Sequence, residues 1–432
     1  MNVPTFLDGL ATACFLFAVI HTFLVSRFQH LAHQHPEGSS AENLYHLLGE
    51  VEVSFGLWAA IYLGFVALVS GPELAAQYLS SRNFTEAAFV FVIMAVCSTK
   101  PILDFAQKSI LFIAKLLPFQ RSVSTFATTM IVGPLLGSFI TEPAAMTVTA
   151  LILLDGLVKK NISLKFKYAI LGLLFVNVSI GGTLTPYAAP PVLMVAAKWN
   201  WDLSFMLTHF AWKSLLSTVV STSIVAMLFK KELLAIDMTP RKSKTTTSVP
   251  LWVYVIHLIF LGLIVLNHQH IQMFIGLFLF FLGLYTVTQE YQKTLRLREG
   301  LLVAFFLGGI VVLGEPQRWW LEPVLTRLDS LALYVGSIAL TSVTDNAALA
   351  YLGSQISSLS DASKFSLVAG SVVGGGLTVI ANAPNPVGYG LLNPHFGEDG
   401  INPIYLALAA LPFTIISALI LWLLSGPLFH IF

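Results

Sequence analysis

Two acidic residues in matching surroundings, Glu142 and Asp345, are the side chains of this sequence best suited to chemistry. Each follows a threonine and stands two residues before a pair of alanines, in Thr141-Glu142-Pro143-Ala144-Ala145 and Thr344-Asp345-Asn346-Ala347-Ala348. A carboxylate inside a membrane is costly unless it is paired, and it can instead take up a proton. A carboxyl group that binds either a proton or a sodium ion couples the two ions, because they compete for one site. Acids also suit the first turn of a helix, so both residues could cap the helices that follow them, and the two roles are compatible.

Hydroxyl and amide side chains that could complete a cation shell lie beside the two acids or in two glycine-rich and proline-rich segments. Breaking a helix frees backbone carbonyls, which hydrocarbon cannot satisfy and which a small cation can use. Such breaks are expected near 181–186 and 374–382. We therefore expect Na⁺ and protons to share one site at Glu142 and Asp345, completed by Thr141, Thr344, Asn346, Asn177, Thr183, Thr185, Thr378, Asn382 and Asn385. Glu50, Glu52 and Asp104 are weaker candidates.

The composition indicates an integral membrane protein. Charged residues make up 10% of the 432 residues and hydrophobic residues 56%, whereas soluble proteins carry about 25% charged residues. The formal net charge of +1 offers no basic surface for nucleic acid. Cys14 and Cys97 give no disulfide framework, the histidines show no spacing for a transition metal, and no enzyme or cofactor motif is present. We expect no catalytic activity and no cofactor beyond the transported Na⁺ and H⁺.

Eight apolar runs are long enough to cross a bilayer, which requires about 20 residues per helix. The first run lacks a basic start and a cleavage site, so we expect it to be retained as a span. The runs cover 7–26, 49–72, 86–105, 204–229, 250–267, 271–289, 299–316 and 402–431.

Four further apolar stretches are interrupted by glycine, proline and polar residues near their middle, where a lipid-facing helix would not tolerate them. We expect 122–158 and 328–357 to be re-entrant hairpins, and 168–198 and 365–395 to be broken spans. Two ordinary short spans in place of each hairpin are the alternative. The segment 106–121 is expected to be an amphipathic arm at the interface.

Basic residues set the predicted orientation. The polar segment 230–249 carries five of them and is placed in the cytoplasm by the positive-inside rule. Two smaller basic clusters, at 159–167 and 293–298, then fall on the same side. This threading predicts a plasma (inner) membrane protein with both termini outside and with the two hairpins entering from opposite faces.

The two halves of the chain, 1–229 and 250–432, then share one plan with opposite topology: three spans, a hairpin, a broken span and a final span. Short matches support the repeat, because Gly181-Gly182-Thr183-Leu184-Thr185 parallels Gly374-Gly375-Gly376-Leu377-Thr378. The predicted fold class is an all-α polytopic membrane protein with an inverted-topology repeat. Such repeats are typical of secondary transporters, whose site lies at the repeat interface.

The motifs also resemble a known superfamily. The broken-helix loop of the ion transporter superfamily is similar to the segment Asn177-Val178-Ser179-Ile180-Gly181-Gly182-Thr183-Leu184-Thr185-Pro186 of this chain. That superfamily includes sodium/proton antiporters, arsenite permeases and divalent-anion:sodium symporters. The segment 137–145, with 188–191 and 380–386, resembles a bacterial family of sodium/proton antiporters over nearly the whole chain. The resemblance implies an elevator-like movement of a hairpin-bearing transport domain and a homodimer formed through the scaffold helices.

Two departures from the superfamily patterns qualify the resemblance. Many antiporter and arsenite relatives have an aspartate shortly after the Thr-Pro pair, where this chain has Ala188 and Ala189. Dicarboxylate carriers typically have Ser-Asn-Thr at the hairpin tips, where this chain has Thr-Glu-Pro and Thr-Asp-Asn. Two acids would repel a carboxylate substrate, so we expect exchange of a monovalent cation, Na⁺ above all, for protons. The alternatives are a sodium-coupled importer of an organic or inorganic anion and a non-transporting scaffold protein.

Overall fold

A computed structural model describes residues 6–238, 248–397 and 400–425. Most of the basic part of the predicted linker, residues 239–247, and the end of the last predicted span, residues 426–431, lie outside the described residues. In the described part every regular element is a helix. Up to residue 238 the helices are α1 (Phe6–Ala32), α2 (Ser40–Leu48), α3 (Val53–Ser70), α4 (Pro72–Ser80), α5 (Thr85–Cys97), α6 (Lys100–Leu116), α7 (Arg121–Ile140), α8 (Glu142–Leu153), α9 (Leu164–Gly181), α10 (Pro190–Trp199), α11 (Leu203–Met206), α12 (Trp212–Leu228) and α13 (Lys230–Leu234).

The second half of the chain contributes nine helices within its described residues. They are α14 (Leu251–Leu266), α15 (Ile271–Val287), α16 (Leu297–Gly314), α17 (Arg318–Leu325), α18 (Ser330–Thr341), α19 (Asn346–Ser354), α20 (Asp361–Gly374), α21 (Asn385–Leu392) and α22 (Pro403–Leu423). Short segments of other helix types join neighbours, such as Leu207–Ala211 between α11 and α12 and Glu315–Gln317 between α16 and α17.

Seven helical segments in the described residues are long and apolar enough to cross a membrane, and the bent pair α4–α5, with 66° between its helices, could supply an eighth. Their outer faces carry large apolar side chains, such as Leu68 (83% exposed) and Leu408 (59% exposed). In water such faces would be unfavourable, whereas lipid satisfies them. The chain is a multi-pass membrane protein. The seven segments are Phe6–Ala32, Val53–Ser70, Arg121–Ile140, Leu164–Leu184, Leu203–Leu228, Leu297–Leu325 and Pro403–Leu423.

The apolar run 86–105 is not one helix, contrary to the prediction. Helix α5 ends at Cys97, Thr99 has an extended backbone, and α6 begins at Lys100. Pro101 explains the break, because proline has no N–H for a helical hydrogen bond and is tolerated in the first turn of a new helix. Helix α6 then packs against α7 and α14.

Four helix breaks lie close to the middle of the molecule. Helices α7 and α8 meet at Thr141, which has a φ of 72°, and α18 and α19 meet at 342–345. The other two breaks separate α9 from α10 and α20 from α21. Proline occupies one of the first two positions of α8, α10 and α21, where its missing N–H costs no helical hydrogen bond. These breaks fall within the stretches where glycine and proline interrupt the apolar sequence.

The broken helices pack against each other in a crossed arrangement. Helix α8 contacts α21 and helix α10 contacts α19, while α18 packs along α20 and α9 along α22. A second group is formed by α1, α3, α5 and α16, which pack closely on one another. The helices that flank the breaks therefore pack against one another.

Candidate ion-binding site

Glu142 is fully buried at the first position of helix α8. Its Oε2 accepts a hydrogen bond of 2.8 Å from Nδ2 of Asn382, which lies in the break between α20 and α21. Its Oε1 has no hydrogen-bond partner among the described residues. A buried carboxylate with one neutral donor is costly, so a proton or a cation is needed to offset its charge.

Asn382 links the two halves of the chain at this point. Its side chain is 1% exposed, and Nδ2 lies 3.4 Å from Oγ of Ser179 on helix α9. The amide oxygen, Oδ1, is buried and has no partner in the described part of the chain. The Asn382 amide therefore donates a hydrogen bond to Glu142 while its own oxygen, Oδ1, stays available. A cation beside the carboxylate would require this orientation of the amide.

Glycine at two positions makes room for these side chains. A Cβ atom at Gly182 would overlap the Glu142 carboxylate, and one at Gly375 would overlap Oγ of Ser179 and lie 2.9 Å from Nδ2 of Asn346. Because any other residue at these positions would intrude on the polar cluster, the two glycines are required for its packing. The glycine-rich motifs thus act by close approach of the backbone as well as by breaking the helices.

Asp345 occupies the tip between α18 and α19 and is a helix cap. Its Oδ1 accepts hydrogen bonds from the backbone N–H groups of Ala347 (2.8 Å) and Ala348 (3.1 Å). The capping alternative is therefore correct for Asp345, whereas the Glu142 side chain makes no capping hydrogen bond. Both hydrogen bonds end on the same oxygen, which leaves Oδ2 for another partner.

A cavity of about 490 Å³ connects Asp345 with the polar cluster. Its lining includes Asp345 and Asn382 as well as Glu50 and Glu52, which precede helix α3. Among the described residues that line it, no lysine, arginine or histidine is present. Glu50 is paired with Arg298 at 2.5 Å. A site of this composition attracts cations and repels anions.

Asn346 is a second buried amide of the cluster. Its backbone N–H donates to the carbonyl of Ala381 (3.1 Å), and neither polar atom of its side chain has a partner in the described structure. Ser179 lies between Asn346 and Asn382 and donates to the carbonyl of Val372 (2.7 Å). Sequence analysis did not select Ser179, because serine is common in apolar helices; its only signal was its place within the broken-helix motif.

Most of the other predicted ligands hold the breaks together, and their role as ion ligands stays a prediction. The threonine hydroxyls donate to nearby carbonyls: Thr183 to Ile180, Thr185 to Ser138, Thr344 to Leu340 and Thr378 to Ser342. Asn177 donates to Met130 and Thr222, and Asn385 to the carbonyls of Gly375 and Thr378. The amide oxygens of Asn177 and Asn385 and the Thr141 hydroxyl are buried without partners in the described residues.

Lys213 is a buried basic residue that sequence analysis overlooked. It is fully buried on α12, and its amine has no hydrogen-bond partner among the described residues. Nζ lies 4.6 Å from the ring centre of Phe365. The neighbouring Ser214 hydroxyl is 2.7 Å from that of Thr183. Lys213 does not line the acidic cavity.

Comparisons with known proteins identify the family of this chain. The structure is similar to the crystal structure of the Alcanivorax borkumensis YdaH transporter, with a TM-score of 0.47, 12% sequence identity and coverage of 96% of this chain and 97% of that one. No curated protein sequence matches the chain. A family profile described as "Putative Na+/H+ antiporter" matches residues 6–424. The chain therefore belongs to this antiporter family of membrane transporters.

Proposed function

We propose that the protein exchanges Na⁺ for protons, and that Glu142 and Asp345 carry the exchangeable charge. The observation that carries this proposal is the buried Glu142 carboxylate, whose Oε1 is free while Oε2 is held by Asn382. Asn382 also lines the cavity that contains Asp345. A proton and a sodium ion would compete for the Glu142 carboxylate, and this competition couples their opposite movements.

We further propose that the two halves form an inverted repeat with two re-entrant hairpins, α7–α8 and α18–α19. The crossed packing supports this, since α8 contacts α21 while α10 contacts α19. Elevator-like movement would shift the group of α7–α10 and α18–α21, here called the transport domain, past the group of α1, α3, α5 and α16, here called the scaffold. Membership of the broader ion transporter superfamily belongs to the same proposal.

The charge of the cavity supports a cation as the substrate. Three acidic side chains line it, and Arg298 neutralises one of them, Glu50, so its net charge is negative when the acids are ionised. An imported anion would require a basic side chain at the site. Lys213 is buried, but it packs against Phe365 and does not line the cavity.

The proposed location and orientation are based on the positions of the basic segments. We propose that the protein lies in the inner membrane with both termini outside and the 230–249 linker in the cytoplasm. We also propose that it forms a homodimer through the scaffold. The partners are the lipid bilayer and small inorganic cations.

Exchange in proteoliposomes tests the proposed function. Vesicles loaded with Na⁺ and a pH-sensitive dye are diluted into Na⁺-free medium, and outward Na⁺ movement should acidify their lumen. Glu142→Gln together with Asp345→Asn should abolish the signal, whereas Glu290→Gln, at an exposed position, should leave it unchanged. Full exchange by the double variant would overturn the assignment. Current that depends on an added anion would favour the symporter.

A further inference from the structure

The acidic cavity contains a carboxylate that the proposed exchange at Glu142 does not use. Glu52 lines the cavity together with Asp345 and Asn382. It precedes helix α3 but makes no side-chain capping hydrogen bond to it. The ion pair with Arg298 belongs to Glu50, so Arg298 does not hold the Glu52 side chain.

The residues at this cavity range from partly exposed to buried. The Glu50 side chain is 33% exposed, whereas Asn382 is 1% exposed and Glu142 is fully buried. This difference in exposure indicates a path from solution to the Asn382 amide. Glu52 and Asp345 line the same cavity and place two acidic groups along that path.

The buried end of this path offers an oxygen to a ligand. Oδ1 of Asn382 has no hydrogen-bond partner within the described residues, although the residue is almost fully buried and lines the cavity. Buried amide oxygens are rarely left unpaired. A volume of about 490 Å³ holds a small cation with several water molecules, each of which occupies about 30 Å³ in the liquid.

We propose that Glu52 and Asp345 form a loading site that captures a hydrated monovalent cation from the cavity and passes it to Glu142 and Asn382. This inference rests on the proposed exchange function. The cation keeps part of its water at the loading site and loses it at Glu142, where the unpaired oxygens replace the water.

Neutral substitutions with a matched control test the loading site. Na⁺ exchange of Glu52→Gln and Glu290→Gln is measured against Na⁺ concentration, with Na⁺ added to one face at a time. A focusing charge raises local ion concentration by about tenfold or more, so Glu52→Gln should raise the half-saturating Na⁺ concentration by about that factor, from the cavity face alone. Glu290→Gln should change it less than about twofold, because Glu290 is exposed and does not line the cavity.

Chemical restoration of a negative charge at position 52 shows whether the charge itself, and not the shape of the glutamate side chain, is what matters. Glu52→Cys is treated with a methanethiosulfonate reagent that carries either a sulfonate or a trimethylammonium group. The sulfonate should restore the affinity for Na⁺, and the trimethylammonium should lower it further. Wild-type protein is the control, because Cys14 (3% exposed) and Cys97 (fully buried) are sheltered from the reagents.

A direct measurement of Na⁺ binding tests the loading site independently of the proposed exchange function. Binding of radioactive Na⁺ to detergent-solubilised protein is compared for wild type and Glu52→Gln. Absence of exchange by the wild type would overturn the proposed function, while weaker binding by Glu52→Gln would still support the loading site. Equal affinities of wild type and Glu52→Gln in both assays, or equal effects of the two reagents, would overturn the loading site.

Discussion

At the scale of single residues, Glu142 and Asp345 have similar sequence surroundings but different environments. Glu142 is fully buried and held by one amide, whereas Asp345 caps a helix and faces a cavity. A carboxylate with few donors gains most from binding a proton or a cation. We therefore assign the competition between ions to Glu142 and the contact with solution to Asp345.

The pH dependence of exchange follows from this competition. As pH rises, protons leave the shared site, and the half-saturating Na⁺ concentration should fall by up to about tenfold per pH unit until the site is deprotonated, after which it should level off. Measurement of exchange against Na⁺ concentration at a series of pH values checks this. A half-saturating concentration that does not vary with pH would rule out competition.

The burial of Lys213 leads to a separate prediction about stability. Its buried amine has no hydrogen-bond partner in the described residues, and an uncompensated buried charge destabilises a protein. Lys213→Met keeps the length and removes the charge, so the thermal unfolding midpoint should rise by a few degrees. Lys165→Met, at an exposed position, is the control and should show little change. A lower midpoint for Lys213→Met would indicate that the amine has a stabilising partner.

At the residue level, a recurring motif drew attention to two acidic residues whose roles as ion ligands stay predictions, and residues outside such a motif were missed. The repeated Thr-acid-x-Ala-Ala pattern identified Glu142 and Asp345. Their different environments could not be predicted, because the Glu142 partner comes from a segment 240 residues away. Ser179 and Lys213 were missed, since each lies in an apolar stretch without a distinguishing pattern around it.

At the scale of helices, the four breaks bring backbone and amide groups into the core. The sequence predicted where they lie, because glycine, proline and polar residues interrupt the apolar stretches there. The break at 98–99 was not predicted, since Ser98 and Thr99 are tolerated within apolar helices and the hydropathy continues across them. Hydropathy therefore finds apolar stretches well, but the ends of helices within them depend on local backbone geometry.

Gly182 tests the role of the break beside Glu142. A methyl group in Gly182→Ala would overlap the Glu142 carboxylate, and overpacking of this kind costs about 1–3 kcal/mol. We expect a lower unfolding midpoint and at least a tenfold loss of Na⁺ affinity, since a shift of about 1 Å misplaces the site. Gly276→Ala is the matched control, because open space surrounds that position. Wild-type affinity in Gly182→Ala would show that the carboxylate position is not critical.

At the scale of the whole molecule, the proposed transport domain and scaffold meet along α16 and α19. These helices contact each other, and a Cβ atom at Gly314 would lie 2.8 Å from the ring of Tyr351. Elevator-like exchange requires movement across this contact. A covalent link between the two groups should therefore arrest transport, whereas a link within the scaffold should not.

A pair of engineered cross-links tests that movement in a background of Cys14→Ala and Cys97→Ala. A short bifunctional methanethiosulfonate that bridges Gly314→Cys and Tyr351→Cys should abolish exchange until a reductant is added. The control is the same reagent on Met94→Cys with Gly300→Cys, within the scaffold, where the Cβ atoms would be 3.6 Å apart. Full exchange by the cross-linked variant at positions 314 and 351 would contradict a sliding transport domain.

Proton release on Na⁺ binding tests competition at Glu142 most directly. Na⁺ is added to weakly buffered, detergent-solubilised protein at a pH where the site is protonated, and a dye reports released protons. Wild type should release roughly one proton for each Na⁺ bound at the shared carboxyl, and Glu142→Gln should release none. Equal proton release by Glu142→Gln and wild type would contradict exchange at this residue.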